Sequence, residues 1–235
     1  MYLVLIGCEY AGKSTLARQI SEWMIEDMGL PSVRWHAHFV LPQFDRHIVV
    51  PDQGVETPMD REEVEELLRL SPAIKEQLLR YMIWRHLHED MFRDSDDYLV
   101  IDFYYGEAVY APLYYGYGGP DDTFSDRRRR AREWESELLL QAPDTVLVLL
   151  RASVDTISRR MSQNPHPGSI LKNDDVPTVL QRFEEVYADS QIERRFELDT
   201  TDLSPDQTLE DFLWQMQPHF SEMDRLRIAF NLPRP

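Results

Sequence analysis

A single cysteine, Cys8, is all that 235 residues contain. That excludes a disulfide framework within the chain and any cysteine-rich zinc site. It agrees with a reducing compartment, so a cytoplasmic location is the expectation. Basic residues are scarce too: 25 Lys and Arg against 42 Asp and Glu leave a net charge of −17. Non-specific binding to nucleic acid or to anionic lipid needs a basic surface, so neither a nucleic acid nor a membrane is an expected partner. Long apolar runs are also missing. Met1 to Ile6 and Val146 to Leu150 fall far short of the roughly 20 residues that span a bilayer, and the first lacks the basic lead and cleavage site of a signal peptide. Internal repeats and low-complexity tracts are absent as well.

What remains is enough for one α/β domain with a full core: 43% of the residues are hydrophobic. Five short apolar runs read as buried strands, at Tyr2 to Ile6, Val33 to Val40, Tyr98 to Asp102, Thr145 to Leu150 and Phe196 to Asp199. Helical patterns separate them: Lys13 to Met28, Asp60 to Leu70, Pro72 to Phe92, Ser125 to Gln141, and Val154 to Met161 with Pro177 to Ser190. Ser71 and Pro72 supply an N-cap and a first helical residue that split the second pattern from the third. Strand and helix alternate, which predicts a mostly parallel five-stranded sheet covered on both faces. Leu209 to Gln217 and a stretch from about 218 to the end form a helical tail. Leu41 to Pro58 and Asn164 to Pro177 are irregular enough to be mobile loops.

Residues 7 to 15 read Gly-Cys-Glu-Tyr-Ala-Gly-Lys-Ser-Thr, a complete match to glycine, four residues, then Gly-Lys-Ser. Each part answers a physical need. Gly7 and Gly12 let the backbone turn tightly and turn amides toward an anion, with Ala11 between them, and the helix that follows adds its positive end. Lys13 has the charge to neutralise the β- and γ-phosphates of ATP, the Ser14 hydroxyl suits Mg²⁺, and Thr15 completes the motif. Context supports the match: an apolar strand leads into the loop, and Leu16, Ile20, Met24 and Met28 form one stripe on the helix after it. A guanine-specific or motor protein fits poorly, since no Asn-Lys-x-Asp follows a late strand and Asp102 precedes Phe-Tyr-Tyr-Gly.

Other residues have more than one reading. Asp102 ends a buried strand at the edge where open α/β sheets bind ligands; it suits Mg²⁺ held through water, the taking of a substrate proton, or a plain turn cap. Glu9 has three roles open to it: base, orienter of the acceptor, or solvated acid. Arg159 and Arg160, with Lys172 beyond, suit a lid over about 159–177 that neutralises transferring charge, although helical arginines are also commonly solvated. Arg151 is a weaker candidate. Arg127 to Arg130 and Arg132 are expected to pair with Glu133, Glu135 and Glu137 at helical spacing. His36 and His38 share a strand face without a third metal ligand; lining an acceptor pocket with Phe39 and Phe44 competes with a core role. Tyr104 to Tyr117 offers tyrosines, Tyr105 and Tyr114 among them, for stacking on a base or for packing. Cys8 is either a thiol with a lowered pKa beside positive charge or a small buried side chain.

Nearly the whole chain resembles the thymidylate kinase branch of nucleoside and nucleotide kinases. The loop is similar to that family's Gly-x-Asp-x-x-Gly-Lys-Thr-Thr, which puts Glu9 where the family has an acid facing the acceptor sugar. Trp84-Arg85-His86-Leu87-His88 is similar to a helix whose arginine holds the acceptor phosphate, Tyr114-Tyr115-Gly116-Tyr117-Gly118 to a stretch beside the acceptor base, Pro143-Asp144-Thr145-Val146 to the lead into the fourth strand, and Arg159-Arg160 to the start of the lid. One departure stands out: Asp102-Phe103-Tyr104 replaces the family's Asp-Arg-Tyr. The resemblance implies a P-loop kinase fold, ATP and Mg²⁺ as cofactors, and a small-molecule acceptor, a nucleoside or nucleoside monophosphate. An ATP-holding regulator with little turnover and a kinase of a non-nucleoside metabolite are the alternatives. A homodimer is entertained with no residue pattern to carry it.

Overall fold

The computed structural model describes residues 1–31, 33, 35–37, 61–87, 97–120, 126–166 and 169–231. Its centre is a five-stranded parallel sheet in the order β2-β3-β1-β4-β5, made of β1 Tyr2–Gly7, β2 Trp35–Ala37, β3 Tyr98–Ile101, β4 Val146–Arg151 and β5 Arg195–Asp199. The three inner strands are buried on both faces, so their sequences are continuous apolar runs; β5, at the edge, alternates. Registers run Leu5↔Ile101 and Leu5↔Val148, which brings the carboxyl ends of β3, β1 and β4 level.

The helices are α1 Lys13–Glu26, α2 Arg61–Arg69, α3 Pro72–Leu87, α4 Phe103–Tyr110, α5 Arg127–Gln141, α6 Val154–Gln163, α7 Val176–Ala188, α8 Pro205–Met216 and α9 Glu222–Asn231. Helix α1 buries Leu16, Ala17, Ile20 and Met24, the stripe read from the sequence, and packs on α8. Helix α4, extended by a π-helical turn over Ala111–Tyr115, packs against α5 and α7. No helix was expected there: α4 is buried on every side, so its sequence carries no amphipathic period. Helix α8 starts earlier than expected because Ser204 and Gln207 form a reciprocal capping box. The tail closes on the domain, Phe220 stacking on Trp23 and Arg227 reaching Asp97 at 3.1 Å. Among the described residues no helix is long and apolar enough to cross a membrane.

The basic run on α5 departs from expectation. Arg130 does pair with Glu133, but Arg128 reaches Glu185 and Asp189 on and after α7. Arg127 is fully buried between Glu76 of α3 at 2.7 Å and Glu107 of α4 at 3.0 Å, with Tyr117 donating to Glu107. Glu135, expected as a surface partner, is buried against Tyr105, Ser190 and the Gln191 amide. Tertiary partners outcompeted local spacing because three helices meet at Arg127, and a guanidinium can serve two carboxylates at once. Burial pushes Glu107 up to about 7 in spite of Arg127 beside it. Removing one partner of such a group strands the other charges, so Arg127→Ala is expected to lose about 3–5 kcal/mol of unfolding free energy in urea titration. A loss under about 1 kcal/mol would mean that the cluster does not join the three helices.

Candidate functional site

β1 and β3 are neighbours, but the chain leaves their carboxyl ends toward different elements, α1 and α4. Such a divergence opens a crevice at the sheet edge. The loop 7–12 occupies one side of it and Asp102 the other.

The loop's shape is imposed by contacts. A Cβ on Gly7 would lie 2.4 Å from the Leu150 carbonyl oxygen, so only glycine fits beside β4. Gly12 enters α1 at φ 99°, and Tyr10 holds a left-handed φ of 65° that a side chain tolerates only under constraint. The constraint comes from distant residues. The Glu9 amide donates to the Tyr110 hydroxyl at 3.1 Å. Thr200, just past β5, donates its hydroxyl to the Ala11 carbonyl at 2.9 Å. Arg160 donates to the Tyr10 carbonyl at 3.0 Å and to Thr200. Ser14 and Thr15 are exposed at the head of α1, open to a ligand.

Lys13 is folded under this loop. Its ammonium donates to the carbonyls of Gly7 at 2.5 Å and Cys8 at 2.9 Å, and lies 3.2 Å from Asp102 Oδ2. Both side chains are buried. Asp102 and Phe103 have φ of 61° and 44°, and Gly106 makes the turn possible, since a Cβ there would approach Asp102 Cβ to 2.8 Å. Two successive left-handed side-chain residues are costly and mark the position as constrained by its surroundings. Asp102 Oδ1 is buried with no partner. Burial pushes the carboxyl up to about 6, against the pull of Lys13. Burial likewise raises Glu9, whose Oε1 is unpartnered, while Ser169, Lys13, His166 and the Leu171 amide favour its charged form. Cys8 is pushed up to about 12 because burial outweighs Lys13, which corrects the idea of a low-pKa thiol.

The segment after α6 lies over the loop. His166 stacks on the Tyr10 ring at 4.3 Å and donates its amide to the Tyr10 hydroxyl. Tyr114 donates to Asp175 at 2.8 Å and accepts from the Lys172 amide at 3.4 Å. Glu9, Lys13, Asp102, Arg160 and Tyr114 are thus brought to one end of the sheet, beside Gly7, Ala11 and Gly12. Other candidates are placed elsewhere. Tyr105 is 1% exposed and held by Glu135 and Ser190, so it cannot touch a substrate; the sequence did not show that its helix is internal. Arg159 is exposed and bonds only weakly to Thr156, at 3.4 Å. Arg151 is tied to Glu184 and Glu197. His38 and Phe39, with Phe44, lie outside the described residues; Arg85 is on α3, with its side chain outside them. Sequence reading missed Tyr110, Thr200 and the Tyr10–His166 stack. Thr200 carried a usable signal, its place just after a strand of a parallel sheet.

Among the described residues no group of three or more His, Cys, Asp or Glu side chains could cage a metal. Mg²⁺ needs less: one or two protein ligands beside phosphates and water. The exposed Ser14 hydroxyl and the unpartnered Asp102 Oδ1 fit that requirement.

No family model matches the chain, and no curated protein does. Solved structures do. A deoxyadenosine kinase from M. mycoides, with the products dCMP and dCDP bound, aligns over 93% of this chain and all of its own at TM-score 0.57 and 14% identity. The thymidylate kinase from Candida albicans covers 93% of both chains at TM-score 0.55 and 18% identity. The YorR protein from Bacillus subtilis, in complex with phosphorylated GDP, aligns over 94% of this chain and 99% of its own at TM-score 0.52 and 18% identity. At these identities the likeness establishes the fold, that of the P-loop nucleoside and nucleotide kinases.

The Asp102 carboxyl gives a test of the site's electrostatics. Its pKa is higher in the fold, about 6, than the ordinary 3.8. Its contribution to stability is therefore whole below the unfolded value and lost as pH rises through the folded one. Asp102→Asn cannot ionise and is expected to gain on the native chain between pH 4 and pH 7 by up to about 3 kcal/mol. Denaturant titrations across that range check it; a difference that stays constant with pH would show that the carboxyl is not held in a desolvating site.

Proposed function

We propose that this chain is a phosphotransferase that moves the γ-phosphoryl group of ATP, with Mg²⁺, to a hydroxyl or phosphate oxygen of a small acceptor, a nucleoside or nucleoside monophosphate. One observation carries the reading: a complete phosphate loop, held by Tyr110, Arg160 and Thr200, faces a buried carboxylate at the point where two parallel strands diverge. The amides of residues 7–15 would cradle the donor phosphates at the positive end of α1. Lys13 would leave its carbonyl partners and Asp102 to meet the β- and γ-phosphates. Ser14 and Asp102 would hold Mg²⁺, which when bound draws charge from the β- and γ-oxygens.

Lys13 and Asp102 are coupled, so moving the lysine toward the donor uncovers the second oxygen of the carboxylate. Asp102 would then accept the proton as the acceptor oxygen bonds to the γ-phosphorus and the bond to the β-γ bridging oxygen breaks, releasing ADP. Its pKa of about 6 suits that exchange near neutrality. Glu9 would orient the acceptor, and Arg85, His38, Phe39 and Tyr114 would complete the proposed acceptor side. Arg160, tied to the loop, would steady the donor subsite, and the exposed Arg159 would serve as the freer lid cation. Most of the rate would come from positioning and fixed dipoles.

Phe103, standing where the resembled family has arginine, favours a second reading, a nucleotide-holding regulator with little turnover. Two measurements decide. ATP with Mg²⁺ at about a hundred times its Kd should add about 2.7 kcal/mol of stability in thermal unfolding. A panel of nucleosides, nucleotides and other hydroxylated metabolites should contain one that drives ADP release, and Lys13→Ala should cut that rate at least about a hundredfold, measured at a temperature where circular dichroism shows the variant folded. Tight ATP binding with no acceptor-dependent ADP would favour the regulator; no binding at all would end both readings.

A further inference from the structure

Resting on that reading, we infer that Tyr10 is a positioning residue that ties the segment after α6 to the phosphate loop, so that the two cover the donor phosphates as one unit and keep water from the γ-phosphoryl group. The argument starts from a backbone cost. Tyr10 holds a left-handed φ of 65°, a conformation that glycine would adopt without penalty. A side chain kept there marks a position where its own contacts offset the strain. Those contacts lead to α6 and to the segment beyond it. The Tyr10 ring stacks on His166 at 4.3 Å with 23° between the planes, and its hydroxyl accepts the His166 amide at 3.0 Å. Its carbonyl accepts from Arg160 of α6 at 3.0 Å. One loop residue thus holds both the helix that leads into the segment and the segment itself.

The segment needs such holds because it has no hydrogen-bond ladder of its own. Residues 166 and 169–172 belong to neither helix nor strand, and their amides turn to side chains of the site. His166 donates to the Tyr10 hydroxyl, Lys172 donates to the Tyr114 hydroxyl at 3.4 Å, and the Leu171 amide faces the Glu9 carboxyl. Tyr114 also donates to Asp175, where the segment turns into α7. Leu171 is buried in the same core as the loop residues Cys8 and Ala11. Tyr114 and Leu171 therefore fix the far end of the segment, and Tyr10 fixes the near end. A cover fixed at the far end only would leave the phosphates open to water, the competing nucleophile. The oxygen of water would then bond to the γ-phosphorus as the bond to the β-γ bridging oxygen breaks, giving ADP, inorganic phosphate and a proton.

Two variants separate this hold from the loop's own shape. Tyr10→Phe keeps the ring and removes the acceptor of the His166 amide, whereas His166→Ala removes the stack from the other side and leaves the loop sequence intact. Amide exchange followed by NMR at residues 166, 171 and 172, with Leu147 to Leu149 of β4 as reference, is expected to rise about fivefold or more in the segment in both variants, the effect of losing about one hydrogen bond, and to stay unchanged in β4. The second arm compares ADP released from ATP and Mg²⁺ without acceptor to ADP released with a productive one. That ratio is expected to rise about tenfold in either variant, while a substitution that merely weakened the fold would lower both rates together. Exchange left unchanged, or raised equally in β4, overturns the inference while the phosphotransferase reading stands. Faster exchange in the segment with an unchanged ratio overturns it as well, as does ATP binding with no productive acceptor. Failure of ATP to stabilise the unsubstituted chain removes the broader reading, and the inference with it.

Discussion

The Lys13–Asp102 pair is the contact on which the rest of the site depends. It links the loop after β1 to the end of β3 at 3.2 Å, with both side chains buried. An ion pair in such a place is not held by Coulomb attraction alone, because desolvation of both partners offsets much of it. Two backbone carbonyls supplement the lysine, yet the aspartate keeps one oxygen unsatisfied. The pair is therefore unequal: the cation is saturated and the anion is not. A second cation, or a donor hydrogen, has somewhere to go without the pair having to break first.

Fixing that arrangement takes contributions from elements far apart in the chain. Tyr110 at the end of α4 supports the loop at Glu9, while Thr200 and Arg160 support it at Ala11 and Tyr10. The same α4 begins with Asp102 and its left-handed backbone, so one short helix carries the acid at its first turn and a loop brace at its last. Arg127 then secures α4 to α3 and α5 through two glutamates. A loop held this way has little left to reorganise when an anion arrives, and electrostatic stabilisation of a transition state relies on that preorganisation.

The parts that could be read from the sequence are those with local causes. Strand runs, the α1 stripe and the phosphate loop each depend on residues within a few positions of one another, and the structure has them where the patterns put them, within one or two residues for β1, β3, β4 and β5. Helix α4 was illegible because burial all round erases the polar face that defines a helical period. Arg127 was misread for the complementary reason: glutamates at helical spacing offered a sufficient local explanation, while its actual partners lie 20 residues or more away on other helices. Tyr105 follows from both errors, since a tyrosine on an unrecognised internal helix looks like a tyrosine on a loop. The resemblance put Glu9 and Tyr114 beside an acceptor, and the end of a buried strand put Asp102 at the same edge of the sheet. It could not show that Asp102 and Glu9 retain buried oxygens without partners, because that depends on how three segments pack.

The overall charge of −17 looks ill-suited to a polyphosphate ligand. The structure separates the two matters by distance. At ordinary ionic strength exposed charges more than about 10 Å apart are screened from one another, whereas groups sharing a desolvated crevice are not. The proposed donor subsite would rely on backbone amides and a helix end, which carry no net charge and add nothing to the tally of basic residues. Among the described arginines near the site, Arg160 is held by the carbonyls of Tyr10 and Thr200 and Arg127 by two glutamates, while Arg159 is exposed. A low count of basic residues therefore does not weigh against anion binding at the loop.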